Sequence, residues 1–142
     1  MGVYLTADEL TRGLSETGLT QLSDDDELGT PDAEVLAGAI DDAEAEVNAH
    51  VGQVLALPLS TVPRFLARLT LDIAIYRLYG RRQIADDAVD GRYKAAVRSL
   101  EKVARGEITL GLPATATESA SHAQLVTPGS GRVFTRTTLS EA

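Results

Sequence analysis

Apolar and polar positions alternate with helical rather than strand-like spacing over most of the chain. From Val35 onward, Leu36, Ala39, Ile40, Ala43 and Val47 recur at three- and four-residue intervals, with Asp41, Asp42, Glu44 and Glu46 mostly turned away. This predicts a surface helix over 31–51, apolar along one stripe and acidic elsewhere. Thr30 offers a capping oxygen and Pro31 a first helical residue. A second clean stripe is Val89, Tyr93, Ala96, Val97, Leu100, Val103 and Ala104, which Gly106 should end. Its remaining sides carry Arg92, Lys94, Arg98, Lys102 and Arg105.

Between these lies "PRFLARLTLDIAIYRLYGRR", residues 63–82. Wound at about 100° per residue, its apolar side chains surround the axis instead of sharing one face. Arg64, Arg68 and Asp72 form a narrow stripe, with Arg77 and Arg81 on another side. Charges inside the run argue against a membrane span. Such a helix is either the central core helix of one subunit or has a second face that meets another copy. The segment centred on Ile73 is expected to carry more hydrocarbon than a lone protomer can hide.

Shorter signals fill the gaps. Thr6 and Glu9 make a T-x-x-E capping box, predicting a helix over 7–15. "ETGLTQLSDDDELGT", residues 16–30, reads as a loop with about one turn. "LALPLSTVP", residues 55–63, breaks the chain, and Ser60 or Thr61 is the expected cap of the following helix. "QIADDAVDG", residues 83–91, reads as a loop into the last helix. Residues 114–131 are small, polar and without period, a linker or a flexible hairpin tip. "RVFTRTTL", residues 132–139, shows β-branched enrichment and weak alternation. A single strand needs a partner, either "EITLG" at 107–111 or something outside the subunit. The expected fold is therefore mainly α, a small bundle of about four helices with a short β-hairpin or extended C-terminal arm. The division falls into a helical domain over 1–112 and a linker with a docking arm over 113–142.

Charge sharpens this picture. Of 142 residues, the first fifty hold thirteen acidic side chains and one basic, Arg12, whereas residues 51–110 hold ten basic and six acidic. A dipolar chain suits packing of copies, acid against base, although solvated acidic helix faces explain the pattern equally well. With no cysteine, disulfides, thiolate metal sites and cysteine nucleophiles are excluded. The opening "MGVYLTADEL" lacks the basic and apolar regions of a signal peptide.

Chemistry is sparse. His50 follows an apolar helical face and His122 sits in the linker, neither with a partner set by spacing. "DDDE" at 24–27 lacks the alternating ligands and central glycine of a calcium loop. "GSG" at 129–131 has no following lysine or helix to make a phosphate cradle. No catalytic, cofactor-binding or metal-ligating residue is nominated, and no enzyme activity is expected. A pI near 4.7 opposes general DNA binding, so no sequence-specific nucleic acid is expected as a partner.

The order of these signals resembles a known family. "YLTADEL", "LPLSTVP" before "DIAIYRLYGRR", "YKAAVRSLEKVARGEITLGLP" and the terminal R-x-F-T-R-x-x-L are together similar to the Mu-like phage and prophage proteins related to head–tail connector, or neck adaptor, proteins of long-tailed phages. The resemblance covers nearly the whole chain. It implies a helical subunit assembling as a ring below the portal, commonly twelve-fold, with DNA passing through the lumen. Its C-terminal segment would dock on the portal protein, and its other face would receive the next neck or tail-completion protein. The expected location is the virion neck, and the host cytoplasm during assembly. Under this reading Arg132, Phe134, Arg136 and Leu139 are candidate docking anchors. Arg68, Asp72, Arg77 and Arg81 are candidate contacts between subunits. The weaker reading is a small helical DNA-packaging accessory or regulatory DNA-binding phage protein.

Overall fold

A computed structural model describes residues 2–112. Five helices follow in order: α1 (Ala7–Leu14), α2 (Glu16–Ser23), α3 (Ala33–Val51), α4 (Arg64–Arg81) and α5 (Asp87–Ala104). Among the described residues there is no strand, so 107–111 is not the internal strand that was one of the two alternative partners for 132–139. Instead Ile108, Leu110 and Leu112 lay their side chains partly against the core. The proposed strand at 132–139 and the linker lie outside the described residues.

Capping decides where each helix begins. Thr6 accepts from the Glu9 amide while the Glu9 carboxylate accepts from the Thr6 amide, the reciprocal box read from the sequence. Residues 16–23 form a full helix rather than a loop with one turn. Ser15 makes this possible by serving two helices at once. Its amide closes α1 on the Thr11 carbonyl, and its hydroxyl opens α2 by accepting from the Gly18 amide. That corner holds Ser15 at φ 63°, a sparsely populated region for a residue with a Cβ.

Three other boundaries also differ from expectation. α3 is capped by Asp32, whose side chain accepts from the Glu34 and Val35 amides, so neither Thr30 nor Pro31 starts it. α4 begins after Pro63 with no side-chain cap, so Ser60 and Thr61 do not serve. α5 starts at Asp87 with Asp86 as its cap, inside the stretch read as a loop. Carboxylates at both caps satisfy amides that no earlier turn can reach. At the other end of α5, Gly106 follows the C-cap at φ 73°, the left-handed position that glycine fills without strain.

α4 is the centre of the molecule and packs against each of the other four helices. This settles the choice its sequence left open. Ile73, Leu66, Leu78 and Ala74 are fully enclosed, and Ile75 and Leu69 nearly so. The expectation that one protomer cannot hide this hydrocarbon is corrected. The five-helix arrangement supplies enough surrounding surface, with α1 and α2 covering the side that α3 and α5 leave open. Each enclosed Leu or Ile contributes about 1.5–3 kcal/mol of transfer free energy. Thr70, also buried, returns its hydroxyl to the Leu66 carbonyl at 2.8 Å, so that hydroxyl is not stranded in the interface.

Two acidic side chains of α3 turn inward rather than away. Glu44 is buried, and its Oε1 accepts from the amides of Tyr4 at 2.6 Å and Leu5 at 3.2 Å. It thereby fastens the N-terminal segment along α3. Gly2 completes that contact, because an added Cβ would meet the Leu5 carbonyl oxygen at 2.0 Å and Ile40 at 2.7 Å. Glu46 does the corresponding work on the opposite flank, where it meets α4 and α5.

Candidate assembly surfaces

Of the four charged residues of α4 singled out from the sequence, Arg77 and Arg81 bind α4 to other parts of the same subunit. Arg77 donates from Nη2 to Glu46 Oε2 at 2.7 Å, joining α4 to α3. Glu46 Oε1 accepts the phenolic hydrogen of Tyr93 at 3.0 Å, so one carboxylate bridges three helices. Tyr93 also stacks on Tyr76, ring centroids 3.9 Å apart and 7° from parallel. The Glu46 bond and the negative charge of that carboxylate raise the Arg77 pKa. Burial, followed by the bond to Glu46, raises that of Tyr93.

Arg81 and Arg82 close the end of α2. Arg81 pairs with Asp25, and Arg82 reaches the same carboxylate at 2.9 Å. Arg82 further donates to the carbonyls of Leu22 at 3.2 Å and Asp24 at 2.6 Å. Those are terminal carbonyls of α2, a helix with no basic residue in its own last turn. The two guanidinium groups thus supply both hydrogen bonds and a favourable charge at its negative end.

Asp72 and Arg68 behave differently. Arg68 Nε approaches Asp72 Oδ2 at 3.4 Å, yet Arg68 stays 62% exposed while Asp72 is 11% exposed. The second oxygen, Asp72 Oδ1, accepts no hydrogen bond among the described residues. Arg92 of α5 lies 4.0 Å from it, close enough for charge attraction but too far for a hydrogen bond. Of the four α4 residues, Arg68 is the one whose charged head is most available to a partner.

The four docking candidates, Arg132, Phe134, Arg136 and Leu139, lie outside the described residues, as does His122. His50 places Nδ1 2.9 Å from the Glu46 carbonyl, one turn earlier on its own helix. Among the described residues, no group of acidic, His or Cys side chains could hold a metal ion. No described helix is long and apolar enough to cross a membrane.

Two features escaped the sequence reading. The first is the loop after α2. Asp24 accepts from the Leu28 amide through Oδ1 at 3.0 Å and from the Gly29 amide through Oδ2 at 2.7 Å. This holds Glu27 at φ 58° and presents Leu28 75% exposed. The second is an open cleft of about 370 Å³ between α1 and the first turns of α4, with Arg12, Arg64 and Arg68 around an apolar wall. A lone Leu among acids has no periodicity to mark it, and three arginines spread over two helices share no motif.

α5 keeps the basic outer side its sequence predicts, with Arg92, Lys94, Arg98, Lys102 and Arg105 all exposed. Part of that charge is spent locally, in Lys94–Asp90 at 2.6 Å and Arg105–Glu107 at 2.8 Å. Exposed pairs of this kind are worth little.

Comparison with known proteins adds the biological frame. The family model described as "Bacteriophage Mu, Gp36" matches residues 4–127. The chain is also 34% identical over 112 residues to the "Mu-like prophage FluMu protein gp36" of Haemophilus influenzae, covering 79% of this chain and 78% of that protein.

Proposed function

The chain belongs to the bacteriophage Mu Gp36 family, and on that premise we propose that it is a structural virion protein that joins the capsid vertex to the tail. Copies form a ring below the portal protein, with DNA passing through the lumen and the next neck component on the far side. The role is mechanical rather than catalytic, exercised in the virion neck after assembly in the host cytoplasm.

The observation that carries this reading is the way chemistry is distributed on the subunit. Its charged side chains brace helices and leave exposed acids along α3 (Glu34, Asp41, Asp42) and exposed bases along α5 (Arg92, Lys94, Arg98, Lys102), which suits self-packing. The residues after Leu112 bear the R-x-F-T-R-x-x-L segment, which supplies Arg132, Phe134, Arg136 and Leu139 for docking on the portal. The chain length between the bundle and that segment gives it reach.

The test is incorporation into particles assembled with portal protein. The full chain enters particles at the neck, and a chain cut after Pro113 does not. Normal incorporation of the shortened chain overturns the docking role, and absence of the full chain from particles overturns the connector itself.

The exposed basic side of α5 favours a second reading, a DNA-packaging accessory or regulatory DNA-binding phage protein. That reading requires salt-dependent DNA binding lost on replacing Arg92, Lys94 and Arg98.

A further inference from the structure

We propose that the Leu28 loop of one copy seats in the Arg12–Arg64–Arg68 cleft of the next, as the head-to-tail contact of the ring. This rests on the ring reading above and names the two surfaces that close it.

The loop is built to protrude. Its base is held by Asp24 through the Leu28 and Gly29 amides, and by Asp25 through Arg81 and Arg82. Above that base, Leu28 is the most exposed large apolar residue among the described residues. Asp26 and Glu27 beside it are exposed and make no hydrogen bond or ion pair among the described residues. Glu27 is kept in the left-handed region at φ 58°. Such a conformation costs free energy in a residue with a side chain and persists where surroundings impose it. The result is a pre-ordered knob with one apolar side chain and two uncommitted carboxylates.

The cleft is the complementary shape and charge. Leu5, Ala67 and Leu71 provide an apolar wall, and α1 approaches so closely that a Cβ on Gly13 would come 3.0 Å from Leu71. Arg12 and Arg64 make no hydrogen bond or ion pair among the described residues, although Arg12 lies within electrostatic reach of Glu9. Arg68 is paired with Asp72 and still mostly exposed. The one acid lining the cleft, Glu9, has its carboxylate committed to Thr6 at 2.9 and 3.0 Å.

Guanidinium groups left open around an apolar wall, in a chain of net charge −8, call for an occupant that is both acidic and apolar. Leu28 with Asp26 and Glu27 has that composition and does not line its own subunit's cleft. Knob and socket on different parts of one chain make a heterologous contact, the kind that closes into rings.

The absence of native cysteine makes the test clean. Leu28→Cys and Ala67→Cys proteins, oxidised together at high concentration, form a mixed disulfide faster than either forms a dimer alone. A chain carrying both substitutions gives a ladder of covalent oligomers in assembled particles. Leu28→Ser lowers the self-association constant by about tenfold. Asp26→Lys with Glu27→Lys abolishes association, and adding Arg12→Glu with Arg64→Glu restores it. Ala67 is half-buried and the other positions are exposed, so folding is checked by unchanged melting.

Particles that contain the double-cysteine chain without any ladder overturn the contact and leave the connector reading standing. Absence of the wild-type chain from particles overturns that reading, and the contact is then judged by the mixed disulfide of the free protein. DNA binding lost on Arg12→Glu with Arg64→Glu, with no cross-link, overturns the contact in favour of a nucleic-acid cleft.

Discussion

Tyr93 donates its phenolic hydrogen to Glu46 across 3.0 Å, tying α5 to the C-terminal half of α3. The same carboxylate receives Arg77 of α4, so one side chain fixes the register of all three long helices. Glu46→Gln keeps the shape but weakens the ion pair and the bond from Tyr93. The expected loss is about 1–2 kcal/mol, moderated by the partial exposure of Arg77. Chemical denaturation checks it, and Tyr93→Phe should lose less, because Arg77 still satisfies the carboxylate.

The two tyrosines that meet α3 give the protein an alkaline weakness. Burial, then the charge of Glu44, raises the Tyr4 pKa, as burial and Glu46 do for Tyr93. The neutral phenol is favoured in the fold, so unfolding releases protons once unfolded tyrosines begin to ionise at about pH 10. Stability from both groups is complete below that value and declines as pH rises through the higher folded values. Melting temperature measured up the alkaline range should fall, and Tyr4→Phe with Tyr93→Phe should flatten the fall.

Thr6→Ala removes the capping box of α1 and should cost about 1 kcal/mol. Glu9 reports the loss directly. Bonds from the Thr6 amide, then its hydroxyl, lower the Glu9 pKa, so its contribution is present above the ordinary glutamate value and lost as pH falls through the depressed one. Carbon-detected NMR titration should show the Glu9 carboxyl moving up in the variant.

Substitutions along α4 should divide by enclosure. Ile73→Ala opens a cavity in the centre and should cost about 2–5 kcal/mol. Phe65 is 40% exposed, and Phe65→Ser should change stability by well under that amount, about 1 kcal/mol or less. Equal losses at both positions, read from urea midpoints, would contradict the central placement of α4.

α2 depends on residues far along the chain. Arg82→Ala leaves the Asp24 carbonyl without its donor and the Leu22 carbonyl with only the long bond from Arg81 at 3.4 Å. Amides of α2 should then exchange with solvent faster while those of α3 and α5 change little.

These dependencies explain which parts of the molecule were legible in the sequence. Local rules placed α1 through the Thr6–Glu9 box, ended α5 at Gly106, and gave α3 and α5 by periodicity and α4 as a helix apolar on every side. α2 stayed hidden because Gly18 and a run of polar residues weaken its pattern. What stabilises it is Leu19 and Leu22 in the core and two arginines about sixty positions away. Glu44 and Glu46 were misread for a related reason. A carboxylate at a core-adjacent position looks solvated until the amides or guanidinium that neutralise it are brought alongside. Arg77 and Arg81 were chosen as charged residues on a greasy helix, and only the fold shows that both are already engaged at home. Leu28 and the arginine cleft combine elements with no fixed spacing, so nothing local marks them.

Because α4 touches every other helix, vectorial synthesis imposes a wait. The first two helices leave the ribosome before residues 64–81 exist, and Leu10, Leu19 and Leu22 have nowhere to land until those residues follow. Over that interval the concentrated negative charge of the opening fifty residues makes unfinished chains repel one another, opposing contact between their uncovered leucines.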